Sequence, residues 1–119
     1  MARILLAEDD ESMRRFLARS LERVGHEVFA VSDGFEALPY VAQGTIDLLV
    51  TDIVMPGMDG IELARRASIE MPELKVIFIT GFAAVALRNR QLPKKNAKVL
   101  SKPFHLRELV SEIDRFLAA

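Results

Sequence analysis

The amino-acid sequence predicts an α/β domain, a doubly wound parallel β-sheet with helices on both faces. Five short apolar segments alternate along the chain with five segments of helical periodicity. The apolar segments are nearly continuous, which is typical of strands that are covered on both faces. Right-handed crossovers place the carboxyl ends of parallel strands at one edge of the sheet, where ligands of such sheets bind.

The predicted strands are short and follow one another without a linker or an internal repeat. They cover residues 4–7, 28–31, 46–51 and 76–80 and a last pair, 99–100. The first helix lies between the first two strands and ends at the stop signal Gly25. Its helical spacing is carried by Met13, Phe16, Leu17, Ser20, Leu21 and Val24.

The other helices are predicted from their boundaries and their apolar faces. The second helix follows Asp33 and ends near Gly44, and Pro39 should break or kink it because proline cannot donate a backbone hydrogen bond. The third runs from residue 61 to about 71, and a weak, alanine-rich helix covers 83–90. The last helix carries one apolar face, made of Leu106, Leu109, Val110, Ile113 and Leu117.

Bulk composition narrows the class of protein. With 119 residues the chain should form one domain, residues 1–119. A net charge of -1 gives no reason to expect a nucleic acid partner, and the absence of cysteine excludes thiol chemistry and zinc thiolates. No apolar run is long enough for a membrane span or a signal peptide, so we expect a cytoplasmic protein without a membrane partner.

Polar side chains follow four of the five predicted strands. Glu8 and Asp9 come after the first strand, Asp52 ends the third, Thr80 ends the fourth and Lys102 follows the fifth. These side chains should converge at the carboxyl edge of the sheet. A solvated acidic loop would explain the acids but not the lysine, so the pattern favours a binding site.

The chemistry of this set suits a hard cation and a phosphoryl group. Carboxylates from two strands are ligands that Mg²⁺ prefers. Asp52 could be a metal ligand, a nucleophile or both, because an aspartate can attack phosphorus and form an aspartyl phosphate. Phosphoryl transfer needs mostly positioning and charge neutralisation, which Lys102 and the Thr80 hydroxyl could supply.

Four segments, AEDDESMRRFL, LLVTDIVMPGMDGIELARR, VIFITGFA and VLSKPF, resemble the receiver domain of two-component response regulators. The resemblance covers the whole chain and implies the flavodoxin-like receiver fold, with strand order 2-1-3-4-5 and five helices. It implies a phosphoryl donor, the phosphohistidine of a histidine kinase or histidine phosphotransfer protein. It also implies that the chain is not an enzyme with a separate substrate, but assists its own phosphorylation and dephosphorylation.

The resemblance also assigns roles to individual residues. Asp52 matches the phospho-acceptor, and Thr80 and Lys102 match the switch hydroxyl and the phosphate-pairing lysine, with a cis Lys102–Pro103 bond. The residues that match the Mg²⁺ ligands are Glu8, Asp9 and Asp52, together with the backbone carbonyl of Val54. Asp10 and Glu11 should instead lie at the start of the first helix, where Asp10 can cap free N–H groups.

The sequence departs from the receiver pattern near the phosphorylation site. Val99 stands where the family usually has an aromatic residue that moves together with Thr80. Val54 and Phe82, which could contact attacking water, are both apolar and cannot orient it by hydrogen bonding. We therefore expect the phosphoryl group to persist.

A closer resemblance is to CpdR-type single-domain receivers, carried by RILLAEDD, FITGFAAVAL and NAKVLSKPFHLRELV. That group consists of phosphorylation-controlled adaptors for the ClpXP protease, so ClpX is an expected partner, and we expect a monomer or weak dimer. The terminal Leu117-Ala118-Ala119 also resembles the apolar tail by which ClpXP grips substrates. The stretch GFAAVAL would contribute to the usual partner surface of receivers or simply pack against the sheet.

Other classes of protein use an aspartate or a phosphate-binding site at the same edge of such a sheet. A phosphatase with an aspartate nucleophile requires a second aspartate at the position of Val54, so the sequence does not fit that class. A flavin-binding module requires a phosphate-binding loop where this chain has its acidic cluster, so it does not fit either. A relay or chemotaxis-type switch stays open, and so does a receiver cut from a larger regulator. If the chain is complete at Ala119, its signal should pass through a protein partner.

Overall fold

A computed structural model describes residues 1–81 and 96–118 of the chain. Its five strands form one parallel sheet in the order β2-β1-β3-β4-β5. The strands are β1 (Arg3–Ala7), β2 (Glu27–Val31), β3 (Leu48–Asp52), β4 (Lys75–Thr80) and β5 (Ala97–Ser101). The predicted fold class and strand order are confirmed, and the strand boundaries differ from the predicted ones by one or two residues.

Four helices lie in the described part of the chain. They are α1 (Glu11–Arg23), α2 (Gly34–Gln43), α3 (Gly60–Glu70) and α4 (Leu106–Ala118). The helix predicted over residues 83–90 lies outside the described residues, and so does most of GFAAVAL. Within the described ranges, none of the helices has the length and apolar character that crossing a membrane requires.

The sheet separates two apolar layers. On one face Leu5, Leu49 and Phe78 belong to a buried cluster that includes residues of α2 and α3. On the other face Leu6 and Val50 belong to a second cluster, with residues of α1 and α4. Alternate residues of a strand point to opposite faces, so a strand that is covered on both sides must be apolar throughout.

Aspartates begin three of the four helices. Each accepts a hydrogen bond of 2.8 Å on its side chain from a backbone N–H three residues later. Such a cap stabilises a helix by about 1 kcal/mol. The pairs are Asp10 with Met13, Asp33 with Glu36, and Asp59 with Glu62. The predicted cap at Asp10 is confirmed, and the caps fix where each helix leaves the carboxyl edge of the sheet.

Glycines end the first two helices as the sequence predicts. Gly25 has a φ of 100° and Gly44 a φ of 68°, a region in which residues with a Cβ are strained. After α1, the His26 N–H donates to the Leu21 carbonyl at 3.2 Å, which closes the helix end. Of the break or kink predicted at Pro39, the break is wrong, because α2 continues through this exposed residue. The kink stays a prediction.

Candidate functional site

Three carboxylates meet at the carboxyl edge of the sheet. Glu8 directly follows β1, Asp9 comes next, and Asp52 ends the neighbouring strand β3. One oxygen from each lies within 4.8 Å of the others. The register pairs Ala7 with Thr51, so the next residues in the chain, Glu8 and Asp52, lie side by side. The structure therefore places the predicted acids in one cluster.

The side chain of Lys102, which directly follows β5, extends into this cluster. Its Nζ lies 2.8 Å from Asp52 Oδ2 and 3.1 Å from Glu8 Oε1. Its backbone N–H donates to the Thr80 carbonyl at 2.8 Å, which ties the end of β5 to the end of β4. The bond from Lys102 to Pro103 is cis, as the family resemblance implies. One ammonium thus bridges two of the three acids.

Thr80 occupies the strand between the acids and the lysine. It ends β4, which pairs with β3 on one side and with β5 on the other. In the register Asp52 pairs with Ile79, and Thr80 pairs with Ser101. The Thr80 side chain is fully buried. Thr80 therefore lies at the same edge of the sheet as Asp52, as the sequence predicts, and the role of its hydroxyl as a switch stays a prediction.

Backbone groups hold the two buried carboxylates in place. The Asp10 N–H donates to Glu8 Oε2 at 3.1 Å, and the Val54 N–H donates to Asp52 Oδ1 at 3.2 Å. The Thr51 hydroxyl donates to the Asp52 carbonyl at 2.9 Å. Fixed donors of this kind keep the carboxylate oxygens oriented without the motion of long side chains. These hydrogen bonds therefore help to set the orientation of the Glu8 and Asp52 carboxylates.

Burial and charge make the cluster unfavourable on its own. Glu8 is only 1% exposed, and burial raises its pKa, as does the charge of Asp52; the Asp10 N–H and Lys102 oppose this. Burial also acts to lower the pKa of Lys102, but the hydrogen bonds and charges of Asp52 and Glu8 outweigh it, and the net pKa is raised. Three carboxylates face one ammonium, so negative charge is in excess.

The donor set fits Mg²⁺. Mg²⁺ takes oxygen ligands, usually one or two carboxylates, and fills its shell with water and phosphate oxygens. Here Glu8, Asp9 and Asp52 supply oxygens, and Asp9 is exposed, so the cluster is open to solvent on one side. A divalent cation would also offset the excess negative charge. Val54 follows Asp52 closely enough for its backbone carbonyl to join, which stays a prediction.

Two residues at the site were not predicted from the sequence. A Cβ at Gly60 would lie 2.0 Å from the Asp52 carbonyl oxygen, so the start of α3 packs directly on Asp52. Arg14 Nη1 donates to the Glu8 carbonyl at 2.9 Å. The glycine of the MDG segment could have signalled the first contact. Nothing in the sequence signals the second, because it depends on how α1 lies against the sheet.

The structure locates two of the three residues that depart from the receiver pattern. Val54 is 57% exposed beside Asp52, where it was expected. Val99 is half-buried in β5 opposite Phe78 and packs against the α2 and α3 layer. Phe82 lies outside the described residues. An apolar surface at residue 54 therefore borders the acid cluster.

Comparison with known proteins identifies close similarity to signalling domains. Residues 4–114 match the response regulator receiver domain. Over 119 residues the chain is 57% identical to the response regulator receiver protein CpdR of Brucella abortus, covering all of this chain and 99% of that protein. It is 35% identical to the DNA-binding transcriptional regulator NtrC of Azospirillum brasilense over 98% of this chain, but spans only 24% of that relative.

Solved structures agree with the sequence match. A response regulator receiver protein from Sinorhizobium medicae superposes with a TM-score of 0.89 at 32% identity, over 99% of this chain and 95% of that one. The response regulator TrrA from Thermotoga maritima, solved in complex with Mg²⁺ and BeF, superposes with a TM-score of 0.86 at 28% identity. That alignment covers 98% of this chain and 99% of TrrA.

Proposed function

The chain belongs to the response regulator receiver domain family, and from that premise we propose that Asp52 accepts a phosphoryl group from a phosphohistidine. The donor would be a histidine kinase or a histidine phosphotransfer protein. The observation that carries the proposal is the contact of 2.8 Å between Asp52 Oδ2 and Lys102 Nζ inside the acid cluster. This contact supports the proposal, because an ammonium beside a carboxylate oxygen of Asp52 could neutralise the charge of a phosphoryl group on it.

The transfer can be written with this chain's own groups. A carboxylate oxygen of Asp52 attacks phosphorus and the bond between phosphorus and the imidazole nitrogen breaks. The phosphohistidine carries a proton on its other ring nitrogen, so the imidazole leaves as the neutral base. Lys102 then pairs with an oxygen of the bound phosphoryl group, and the buried Thr80 hydroxyl is the second donor at this edge. Because such a transition state is loose, holding and neutralising its oxygens is most of the task.

Mg²⁺ would be held by Glu8, Asp9 and Asp52 together with the backbone carbonyl of Val54. When bound, it supplies positive charge that neutralises the phosphoryl oxygens. The protein would thus be a phospho-acceptor that assists its own phosphorylation and dephosphorylation and turns over no separate substrate.

A groove beside Lys102 supports a protein as the donor. It has a volume of about 410 Å³ and lies between α1 and the segment that leads into α4. Its walls are mostly apolar, and Phe16 at its rim is 54% exposed. Exposed apolar surface of this kind is typical of protein contacts. A donor seated there would present its histidine close to the acid cluster.

Replacing the acceptor tests the proposal. Asp52→Ala should abolish phosphorylation by acetyl phosphate with Mg²⁺, measured as the gain in mass of one phosphoryl group. Asp47→Ala is a matched control, because Asp47 is an exposed aspartate that accepts from the Arg3 N–H near the amino end of β1. We expect it to be phosphorylated like the wild type. Full incorporation in the Asp52 variant would show that another residue is the acceptor.

For the output we propose an adaptor for the ClpXP protease in cell-cycle control, located in the cytoplasm with that protease. The similarity to CpdR along the whole chain supports this reading. Unphosphorylated protein should prime the protease for selected substrates, and phosphorylation should switch this off. The rival outputs are a relay or chemotaxis-type switch and the receiver of a larger regulator.

Degradation of a reporter substrate separates these outputs. ClpXP is incubated with the reporter alone, with the unphosphorylated protein, and with protein carrying beryllofluoride as a phosphate mimic. Faster degradation with the unphosphorylated form alone is expected for an adaptor. An unchanged rate in all three mixtures would contradict the adaptor function and leave phosphorylation of Asp52 unaffected.

A further inference from the structure

The side chain of Arg14 lies against the loop that joins β1 to α1. Its Nη1 donates to the Glu8 carbonyl at 2.9 Å, while its own backbone N–H donates to Asp10 as part of the first turn of α1. Arg14 is half-buried, whereas Arg15 is exposed and pairs with Glu11 at 3.0 Å. Successive residues of a helix are turned by about 100°. Only the first of these two arginines therefore faces the acidic edge.

The hydrogen bond from Arg14 is one of several that hold the backbone and the side chain of Glu8 in place. The Glu8 N–H donates to the Val31 carbonyl at 3.1 Å, and its carboxylate accepts from Asp10 and from Lys102. The Glu8 carbonyl belongs to the same rigid peptide unit as the nitrogen of Asp9. Rotation of that unit would move both flanking side chains, and the Arg14 hydrogen bond opposes such rotation.

We propose that Arg14 is a positioning residue of the metal site, holding the peptide unit between Glu8 and Asp9 so that both carboxylates stay within reach of Asp52. The inference rests on the proposed Mg²⁺ site. It assigns to Arg14 an effect on metal affinity that its charge alone would not produce.

Charge and geometry act in opposite directions here, which makes the role testable. A guanidinium near a cation site repels the cation, so removing it for its charge alone should tighten Mg²⁺ binding. Removing it as a positioning group should weaken binding, since loss of an outer-shell partner typically costs at least tenfold in affinity.

Glu36 on α2 lies near enough to Arg14 for the arginine charge to influence its carboxyl group. Its pKa is lowered first by the backbone N–H and hydroxyl of Ser32, at 2.6 and 2.7 Å, and to a smaller extent by the charge of Arg14. A carboxylate thus lies within electrostatic range of the guanidinium on the side of α2.

The experiment measures Mg²⁺ dissociation constants of the full chain by calorimetry, without phosphorylation. Arg14→Met should weaken Mg²⁺ binding about tenfold. Arg15→Met removes the same charge one residue away and should leave binding unchanged or slightly tighter. Arg14→Lys keeps the charge and one donor, so it should bind more weakly than the wild type and more tightly than Arg14→Met. Metal-free melting curves verify that each variant folds.

The possible results test the role of Arg14 and the Mg²⁺ site separately. Equal or tighter binding by Arg14→Met, or a lysine variant that binds more weakly than the methionine variant, would overturn the role of Arg14. If the methionine variant does not fold, the lysine variant carries the test, and wild-type affinity in it would overturn the role. A wild type that binds no Mg²⁺ would overturn the metal site itself, and the inference with it.

Discussion

Among the glycines, Gly60 has the least room for a side chain. A Cβ there would lie 2.0 Å from the Asp52 carbonyl oxygen and 2.9 Å from its carbon, distances that real Cβ atoms do not show. The neighbour is backbone and cannot swing away like a flexible side chain. The start of α3 and Asp52 are therefore fixed relative to each other, and any side chain at Gly60 must displace one of them.

Gly60→Ala should destabilise the fold by about 2–3 kcal/mol, because overpacking of a tight contact costs this much. It should also reduce phosphorylation of Asp52, since the acceptor backbone is displaced. Urea unfolding and mass measurement after acetyl phosphate treatment test the two effects. Gly44→Ala is the control: its φ of 68° is strained for alanine, but open space surrounds it, so about 1 kcal/mol is expected. A smaller loss for Gly60→Ala than for Gly44→Ala would contradict the steric argument.

Val54 should determine how long the phosphoryl group persists. Its exposed apolar side chain cannot orient a water molecule for attack, so we expect decay over minutes. Val54→Asn supplies a group that can position water and should shorten the half-life several-fold. Val54→Ala changes access without adding polarity and is the control. Equal half-lives for the alanine and asparagine variants, or wild-type decay within seconds, would argue against this role.

The site residues differ in how far a sequence can predict them. Glu8, Asp52 and Lys102 are predictable because each is a charged residue next to an apolar strand, and topology alone then brings strand ends together. Gly60 and Arg14 are not, because their roles depend on distances of a few ångströms between a helix and a loop. Hydrophobic periodicity fixes which face of a helix is buried but not where the helix lies along the sheet.

Among the helices, α3 carries the most strongly shifted carboxyl group on the surface. Glu62 accepts from Arg65 at 2.7 and 2.9 Å and from Arg66 at 2.9 Å. These hydrogen bonds, first from Arg65 and then from Arg66, lower the pKa of Glu62 to about 2. The folded state thus favours the ionised form more than the unfolded chain does, and α3 gains stability from it.

The pH dependence of stability tests this. A lowered pKa contributes stability that is present above the ordinary value of 4.5 and is lost as pH falls towards about 2. Glu62→Gln should therefore be less stable than the wild type at neutral pH and should lose less stability on acidification. Urea midpoints at low salt would measure both, and Glu70→Gln on the same helix is the control. The effect is small because the group is exposed. If the urea midpoints of wild type and Glu62→Gln changed with pH in parallel, this contribution of Glu62 to stability would be excluded.

Helices and strands were predictable to within about two residues at most of their ends, because aspartates, glycines and apolar runs mark them. The exception is Pro39, where the local rule predicted an interruption. Ala37 and Val41 of α2 are buried against the sheet on either side of the proline, while Pro39 itself is exposed. Packing of the helix thus outweighs the loss of one backbone hydrogen bond, a balance that local sequence does not reveal.

For the whole molecule, metal binding and global stability should be linked. A ligand that binds only the folded state stabilises it by about 2.7 kcal/mol at a hundred times its dissociation constant. Mg²⁺ should therefore raise the melting temperature by several degrees, and Asp9→Asn should reduce that rise. Asp9 is the exposed member of the cluster, so its replacement leaves both Lys102 contacts in place. Ca²⁺ and Na⁺ titrations test selectivity, and an unchanged Mg²⁺ response in Asp9→Asn would remove it from the ligand set.

The two apolar layers have a consequence for how the protein can be altered. Among the described residues, no side chain belongs to both layers, and neighbouring residues of one strand, such as Leu5 and Leu6, serve opposite layers. The energetic effects of substitutions in separate layers should therefore add where the two sites are more than about 7–10 Å apart, because distant sites with no shared partners do not couple. One layer could be repacked by design while the other keeps its original side chains. The strand ends that carry Glu8 and Asp52 adjoin both layers, so a change made there can be felt on either face.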